Sequence, residues 1–174
     1  MRTFLSIDIP EKLHSKIRSL QRNLPGFQGK LTELKEMHLT LKFFGDVSLE
    51  ILEKIKLCLR GLKFKKFHAK LSEVGVFTPN SVRIIWVKIE GVEELQKQVD
   101  YCLQNLFSVE ARFMSHLTIA RVKTIDKRTR KEFLDKISKL KMNEEFEVDK
   151  IILKKSELFR EGPEYRDLEE FRLE

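Results

Sequence analysis

One short pattern is written twice in this chain, and it limits the possible folds more than any other feature. The first copy runs Met37-His38-Leu39-Thr40-Leu41-Lys42-Phe43-Phe44-Gly45-Asp46-Val47, and the second Ser115-His116-Leu117-Thr118-Ile119-Ala120-Arg121-Val122-Lys123. Both alternate and are rich in β-forming residues, so both read as strands. On a strand, side chains two positions apart share a face. His38 with Thr40, and His116 with Thr118, therefore project together, while Leu39, Leu41, Leu117 and Ile119 turn toward a core. Ten residues after each histidine stands a helix N-cap candidate, Ser48 in one half and Asp126 in the other. The pattern reads as an internal duplication. If the equivalent strands face one another, two imidazoles and two hydroxyls converge on one cleft.

The remaining periodicities fill in the two halves. Thr3 to Ile9 alternates as a strand, and Pro10 opens a helix to Arg22 with Leu13, Ile17, Leu20 and Leu24 as its apolar stripe. Leu31 to Leu34 reads as a short strand before the first His-x-Thr strand. Further helices are expected over Ser48 to Gly61, Val92 to Leu106 and Asp126 to Leu140. Phe67 to Phe77 and Val82 to Ile89 form a hairpin around Thr78-Pro79-Asn80-Ser81. One long strand spans Phe146 to Leu158, and Tyr165 to Leu173 closes the chain. This order of helices and hairpin-like links favours α+β, with mixed or antiparallel sheets, over a doubly wound parallel fold. No Gly/Ser linker divides the chain, so residues 1–174 are expected to be a single domain of two interleaved lobes.

Charge and cysteine usage narrow the function classes. A net charge of +7 invites a polyanion, either RNA or a phosphorylated small molecule, without saying where the charge sits. Cys58 and Cys102 fall inside predicted helices at no metal or redox spacing, and are expected to be reduced, buried and inert. The first apolar run is broken at Asp8 and Pro10, so no signal peptide or membrane anchor is read, and a cytoplasmic protein is expected. Nothing calls for an obligate interface, which makes a monomer the expectation. Glycine is too sparse for a phosphate-cradling loop.

Two histidines repeated with the same threonine offset suit acid–base chemistry at phosphorus. Histidine has an unperturbed pKa of ~6.5 and can take or give a proton near neutrality. A neutral imidazole draws the proton from the attacking oxygen, and a protonated one supplies the leaving oxygen. Each threonine hydroxyl, on the same face, can donate to a non-bridging oxygen where negative charge is held. Zinc is the rival use of paired histidines, but no cysteine or carboxylate stands beside them at ligand spacing.

These motifs resemble the two-histidine phosphoesterase superfamily, and within it the RNA 2′,3′-cyclic phosphodiesterase family, also called 2′-5′ RNA ligases. The resemblance takes in Phe4-Leu5-Ser6-Ile7-Asp8-Ile9-Pro10, both His-Leu-Thr strands with their flanks, and Arg83-Ile84-Ile85-Trp86. It closes with Ser156-Glu157-Leu158 and Gly162-Pro163-Glu164-Tyr165. It implies a bilobal α+β fold with pseudo-twofold symmetry and a cleft lined by both motifs. It further implies opening of a 2′,3′-cyclic phosphate at an RNA 3′ end to a 2′-phosphate, without cofactor or metal, and 2′-5′ joining in the reverse sense. Transfer-RNA halves and scavenged fragments are both open as the RNA, and a free nucleotide is a further candidate occupant. His38 and His116 carry over as catalytic, with Thr40 and Thr118 on the phosphate. His38 is expected to protonate the 3′ leaving oxygen and His116 to activate water, although near symmetry permits the reverse. Arg121 matches a family arginine for phosphate or RNA, yet strand parity puts it opposite the histidine face unless a bulge intervenes. Lys42, by parity on the His38 face, is expected to steer phosphate. Phe44 is a candidate base-stacking residue, whereas Phe43, on the Leu39 and Leu41 face, is expected in the core. Trp86 is expected in the core, and Arg83 is a candidate for the RNA path.

Overall fold

The computed structural model describes residues 1–174. Its elements, in order, are β1 (Arg2–Asp8), α1 (His14–Arg22), β2 (Gln28–Leu31), β3 (His38–Asp46), α2 (Leu49–Arg60), β4 (Phe67–Val76), β5 (Ile84–Glu90), α3 (Glu93–Leu103), β6 (His116–Thr124), α4 (Arg130–Lys139), β7 (Lys141–Val148), β8 (Lys150–Phe159) and β9 (Gly162–Arg172). The fold is the expected α+β, a curled sheet with four helices, and every strand pairing is antiparallel.

The sheet carries the duplication in its strand order. It runs β7-β4-β5-β6-β3-β1-β8-β9, with β2 added alongside β6. The two His-x-Thr strands, β6 and β3, are central neighbours. Outward from them, β5, β4 and β7 on one side answer β1, β8 and β9 on the other. The C-terminal hairpin β8–β9 completes the side begun by β1. Apolar residues from all four helices and the sheet share one cluster of 36 buried side chains.

Three local expectations are corrected. The long strand foreseen over Phe146 to Leu158 is two strands. Asp149 is the break, and β7 pairs with β4 while β8 pairs with β1, so this run crosses from one half to the other. A continuous apolar alternation does not reveal that its partners change. Asp126 does not cap α4; its carboxylate accepts from Arg128 N at 2.9 Å and opens a turn, and the helix begins at Arg130. Ser48 does cap α2, accepting from Ile51 N at 3.3 Å. The short strand expected over Leu31 to Leu34 lies earlier, at β2, which shares only Leu31 with it, and Leu34 instead begins a 3-10 turn through Glu36.

The cysteines are the other correction. Helices α2 and α3 pack side by side, bringing the half-buried Cys58 and Cys102 to a Cα separation of 6.1 Å, where they are joined as a disulfide. That spacing is normal for the bond. The expectation of two free, inert thiols fails because positions 44 residues apart in sequence meet only through helix packing. No helix is long and apolar enough to cross a membrane.

Strand β2 lies tight against β6 because residue 29 is glycine. A Cβ there would collide with the Arg121 carbonyl oxygen and come within 3.0 Å of Val122 Cα. Backbone cannot move aside as a flexible side chain can. Gly29→Ala is therefore expected to cost about 1–3 kcal/mol in urea unfolding and to displace Lys30 and Leu31 at the cleft wall.

Candidate active site

The site is built by register. Strands β3 and β6 meet at Leu39 opposite Leu117. Counting outward along an antiparallel pair, His38 lies across from Thr118 and Thr40 across from His116. Opposed side chains share a face. The two imidazoles therefore stand on one diagonal of a four-residue patch and the two hydroxyls on the other. All four line a single cleft of about 630 Å³.

A bulge repeats in both strands and sets where the side chains beyond each motif point. Between Leu5↔Lys42 and Ser6↔Thr40 the register of β3 slips, leaving Leu41 as an extra residue. Between Ile85↔Ala120 and Trp86↔Thr118 the register of β6 slips at the equivalent Ile119. A bulge sends consecutive side chains to the same side and so reverses later parity. Burial agrees: Leu41 and Lys42, like Ile119 and Ala120, both face the core. Phe43 and Arg121 then turn into the cleft. Buried Gln21 holds the second bulge, donating to the Ile119 carbonyl and to the Thr32 carbonyl, each at 2.9 Å.

Arg121 is thus on the histidine face, through the bulge that parity required of it. Lys42 and Phe44 are not. Lys42 is buried beneath the sheet, where its ammonium donates to the Asp100 carboxylate and to the Ser108 carbonyl at 2.8 Å. Phe44 packs in the core against Phe107, ring centroids 5.0 Å apart. The residue expected in the core, Phe43, is the exposed one. Trp86 is buried as expected, and Arg83 lies outside the cleft, donating to the Lys123 carbonyl at 2.7 Å.

Each imidazole is oriented by the backbone two residues before it. His38 Nδ1 lies 2.7 Å from the Glu36 carbonyl oxygen, and His116 Nδ1 lies 2.9 Å from that of Met114. A carbonyl can only accept, so each Nδ1 carries the proton and each Nε2 is left for chemistry. Aromatic rings wall them in. Phe4 and Tyr165 pack on His38 with centroids at 4.9 and 5.0 Å, and Phe77 meets His116 edge-on at 4.8 Å.

Burial pushes the His38 pKa below the ordinary histidine value, outweighing the Glu36 carbonyl and Asp8, while Lys154 and Arg121 push the same way as burial. Behind His38, Lys154 donates to Asp8 at 3.0 Å and to Asp167 at 2.7 Å. Burial works against the Lys154 charge, yet the two carboxylates hold its pKa above the usual lysine value. Burial also raises the Tyr165 phenol, against the pull of Arg121, so it stays a hydroxyl donor at neutral pH. Arg2, Lys30 and Arg121 bring three cations to a cleft wall that has two carboxylates, Glu36 and Glu161. Arg2, Lys30, Phe43 and Tyr165 were not singled out as site residues from the sequence. The duplication held a signal for Phe43, since it stands five residues after His38 as Arg121 does after His116.

A duplicated antiparallel sheet with paired His-x-Thr strands across one cleft defines a two-histidine phosphoesterase. Comparison with known proteins agrees. The family model described as LigT like Phosphoesterase matches twice, over residues 7–86 and 88–165, about one half of the chain each time. A protein of Methanocaldococcus jannaschii named RNA 2′,3′-cyclic phosphodiesterase is 39% identical, over 98% of this chain and 100% of its own. One of the same name from Methanothermobacter thermautotrophicus is 34% identical over 99% of each chain. Among solved structures, TT0787 of Thermus thermophilus superposes with a TM-score of 0.84 at 26% identity, covering 99% of this chain and 97% of that one. E. coli LigT complexed with 3′-AMP shares the fold at a TM-score of 0.81 and 22% identity, over 99% and 97% of the two chains. The chain belongs to the LigT-like phosphoesterase family.

Proposed function

We propose that this protein is an RNA 2′,3′-cyclic phosphodiesterase, opening the cyclic phosphate at an RNA 3′ end to a 2′-monophosphate. The observation that carries the proposal is the diagonal of two imidazoles, each with a free Nε2, across one cleft with a hydroxyl beside each. The name shared by the relatives at 34–39% identity points to the same substrate.

The chemistry balances without a further group. Water attacks phosphorus and loses a proton to the neutral imidazole; the bond to the 3′-oxygen breaks, and that oxygen takes a proton from the protonated imidazole. Thr40 and Thr118 donate to the non-bridging oxygens, and Arg121 offsets their charge. The buried setting of His38 favours its neutral form, so His38 is assigned as proton acceptor and His116 as donor. This reverses the roles expected from the sequence. A 5′-hydroxyl on a second strand, attacking in place of water, would make a 2′-5′ bond by the same displacement.

The test is an oligonucleotide ending in a 2′,3′-cyclic phosphate, incubated with the protein and a chelator. Release of a 2′-monophosphate end is expected; tight binding without turnover would mean a phosphate-end binding module instead. The role assignment has its own check. In histidine NMR titration of the free protein, His38 is expected to titrate below ~6.5. The acid limb of kcat/KM should fall at that same depressed value, because protonating His38 removes the acceptor. A His38 midpoint above ~6.5 would return it to the donor role.

A further inference from the structure

His38 and His116 hold equivalent places in the duplicated sheet, yet the charges beside them differ in sign and in burial. Register sets Asp8 of β1 opposite His38, and Lys88 of β5 opposite His116. Opposed residues share a face, so each charge stands beside its imidazole. Lys88 has one partner, Glu73 at 3.7 Å, and both side chains are open to solvent. Such a pair is screened and holds little. The pair beside His38 is built differently. Lys154 starts opposite Phe4, lies along β1, and donates to Asp8 at 3.0 Å and to Asp167 at 2.7 Å. Only 8% of its surface is exposed. Lysine is almost never buried to that extent without paired partners. Backbone ladders already join β1, β8 and β9, so the sheet does not need this clamp to hold together. A second hollow, of about 490 Å³, is bounded by His38 and by all three members of the clamp. The other charged groups around His38 are looser. Glu36 and Arg166 stand at the rim of the hollow, Arg121 and His116 line the cleft, and Lys35 is turned to Glu33 at 3.2 Å. The Tyr165 phenol meets the ring edge-on and stays uncharged.

We propose that Lys154 is the positioning residue of the proton acceptor: clamped by Asp8 and Asp167, it keeps the Asp8 carboxylate from pairing with His38 and leaves that imidazole unprotonated. This rests on the phosphodiesterase reading and on the acceptor role of His38. It adds what separates two histidines that the duplication makes alike. Without the ammonium, Asp8 would face His38 alone, and an imidazolium paired with a carboxylate is a proton donor rather than an acceptor. Burial of the ring acts in the same direction as Lys154 and against Asp8.

Two single variants test the clamp because they act with opposite sign. Lys154→Met removes the cation and frees Asp8, so the acid limb of kcat/KM on a cyclic phosphate end is expected to move up by about 0.5–1.5 pH units. Asp8→Asn removes the carboxylate and keeps the ammonium, so the limb moves down. In the double variant it returns close to its position in the unmodified protein. A clamp that only held strands together would lower Tm or kcat and leave the limb in place. That result would overturn the proposal, as would two shifts in the same direction. Asp8 is partly exposed, so Asp8→Asn reads the sign even where Lys154→Met is too unstable to titrate. NMR titration of the free protein repeats the comparison without turnover, with the His38 signal assigned by its loss in His38→Ala. Opposite shifts of its midpoint, with no turnover by the unmodified protein, would defeat the phosphodiesterase reading and leave the clamp standing. A midpoint that neither variant moves would defeat the clamp, whatever the activity.

Discussion

Replacing either His38 or His116 with alanine is expected to lower turnover of a cyclic phosphate end by roughly 100- to 10,000-fold. The two losses should be similar, because acceptor and donor act in one displacement, and the double variant should fall little below the worse single one. Neither change should unfold the protein. Both rings border the cleft, and their polar contacts are the Nδ1 hydrogen bonds to neighbouring carbonyls. Their loss is local. Thr40→Val and Thr118→Val, which keep shape and remove the hydroxyl, should give smaller losses in kcat. A His116→Ala variant retaining more than about a tenth of the activity would remove the donor from the mechanism.

The largest expected effect on stability lies on the other side of the sheet. The Asp100 carboxylate accepts from three donors: the Lys42 ammonium, whose charge it neutralises, Gln96 Nε2 at 2.8 Å and Glu110 N at 2.8 Å. Lys42 and Asp100 are both buried. Removing one partner strands the other charge, and Lys42→Ala or Asp100→Ala should cost about 3–5 kcal/mol. For a domain of this size that is a fall of roughly 6–20 °C in Tm. Replacing both, as Lys42→Met with Asp100→Leu, should recover much of the loss, because the penalty comes from the orphaned charge. Burial acts to raise the Asp100 pKa, but the hydrogen bonds from Lys42, Glu110 and Gln96, with the Lys42 charge, hold it below the ordinary carboxylate value. Its contribution is therefore complete above about pH 4 and is lost as pH falls through the depressed value. Asp100→Asn should flatten that acid-side decline in urea unfolding. The pair also ties β3 to the connection that leads into β6, through the Ser108 carbonyl and the Glu110 amide.

The strands and the duplicated motif were legible because alternation and a repeated His-x-Thr are local signals. Strand parity placed His38 with Thr40 and His116 with Thr118, but that the two pairs share one cleft follows from the pairing of β3 with β6. What parity missed was the bulge. One extra residue at Leu41 exchanged the places of Lys42, Phe43 and Phe44, and so made a buried ion pair of a supposed phosphate contact. The same slip at Ile119 brought Arg121 onto the site. A bulge is held by distant partners, here Gln21 on α1 for the second strand, and leaves no mark in the alternation around it. Likewise the crossing at Asp149 and the pairing of Cys58 with Cys102 depend on which elements pack together.

Catalysis of this kind requires a single phosphorus atom to lie between the two free ring nitrogens. A crystal structure of the protein with a nucleoside vanadate, which imitates five-coordinate phosphorus, measures this directly. The expected result is vanadium in the cleft with an apical oxygen within about 3 Å of His38 Nε2 and the opposite one within about 3 Å of His116 Nε2. Vanadium held by one histidine alone, or seated away from both, would contradict it.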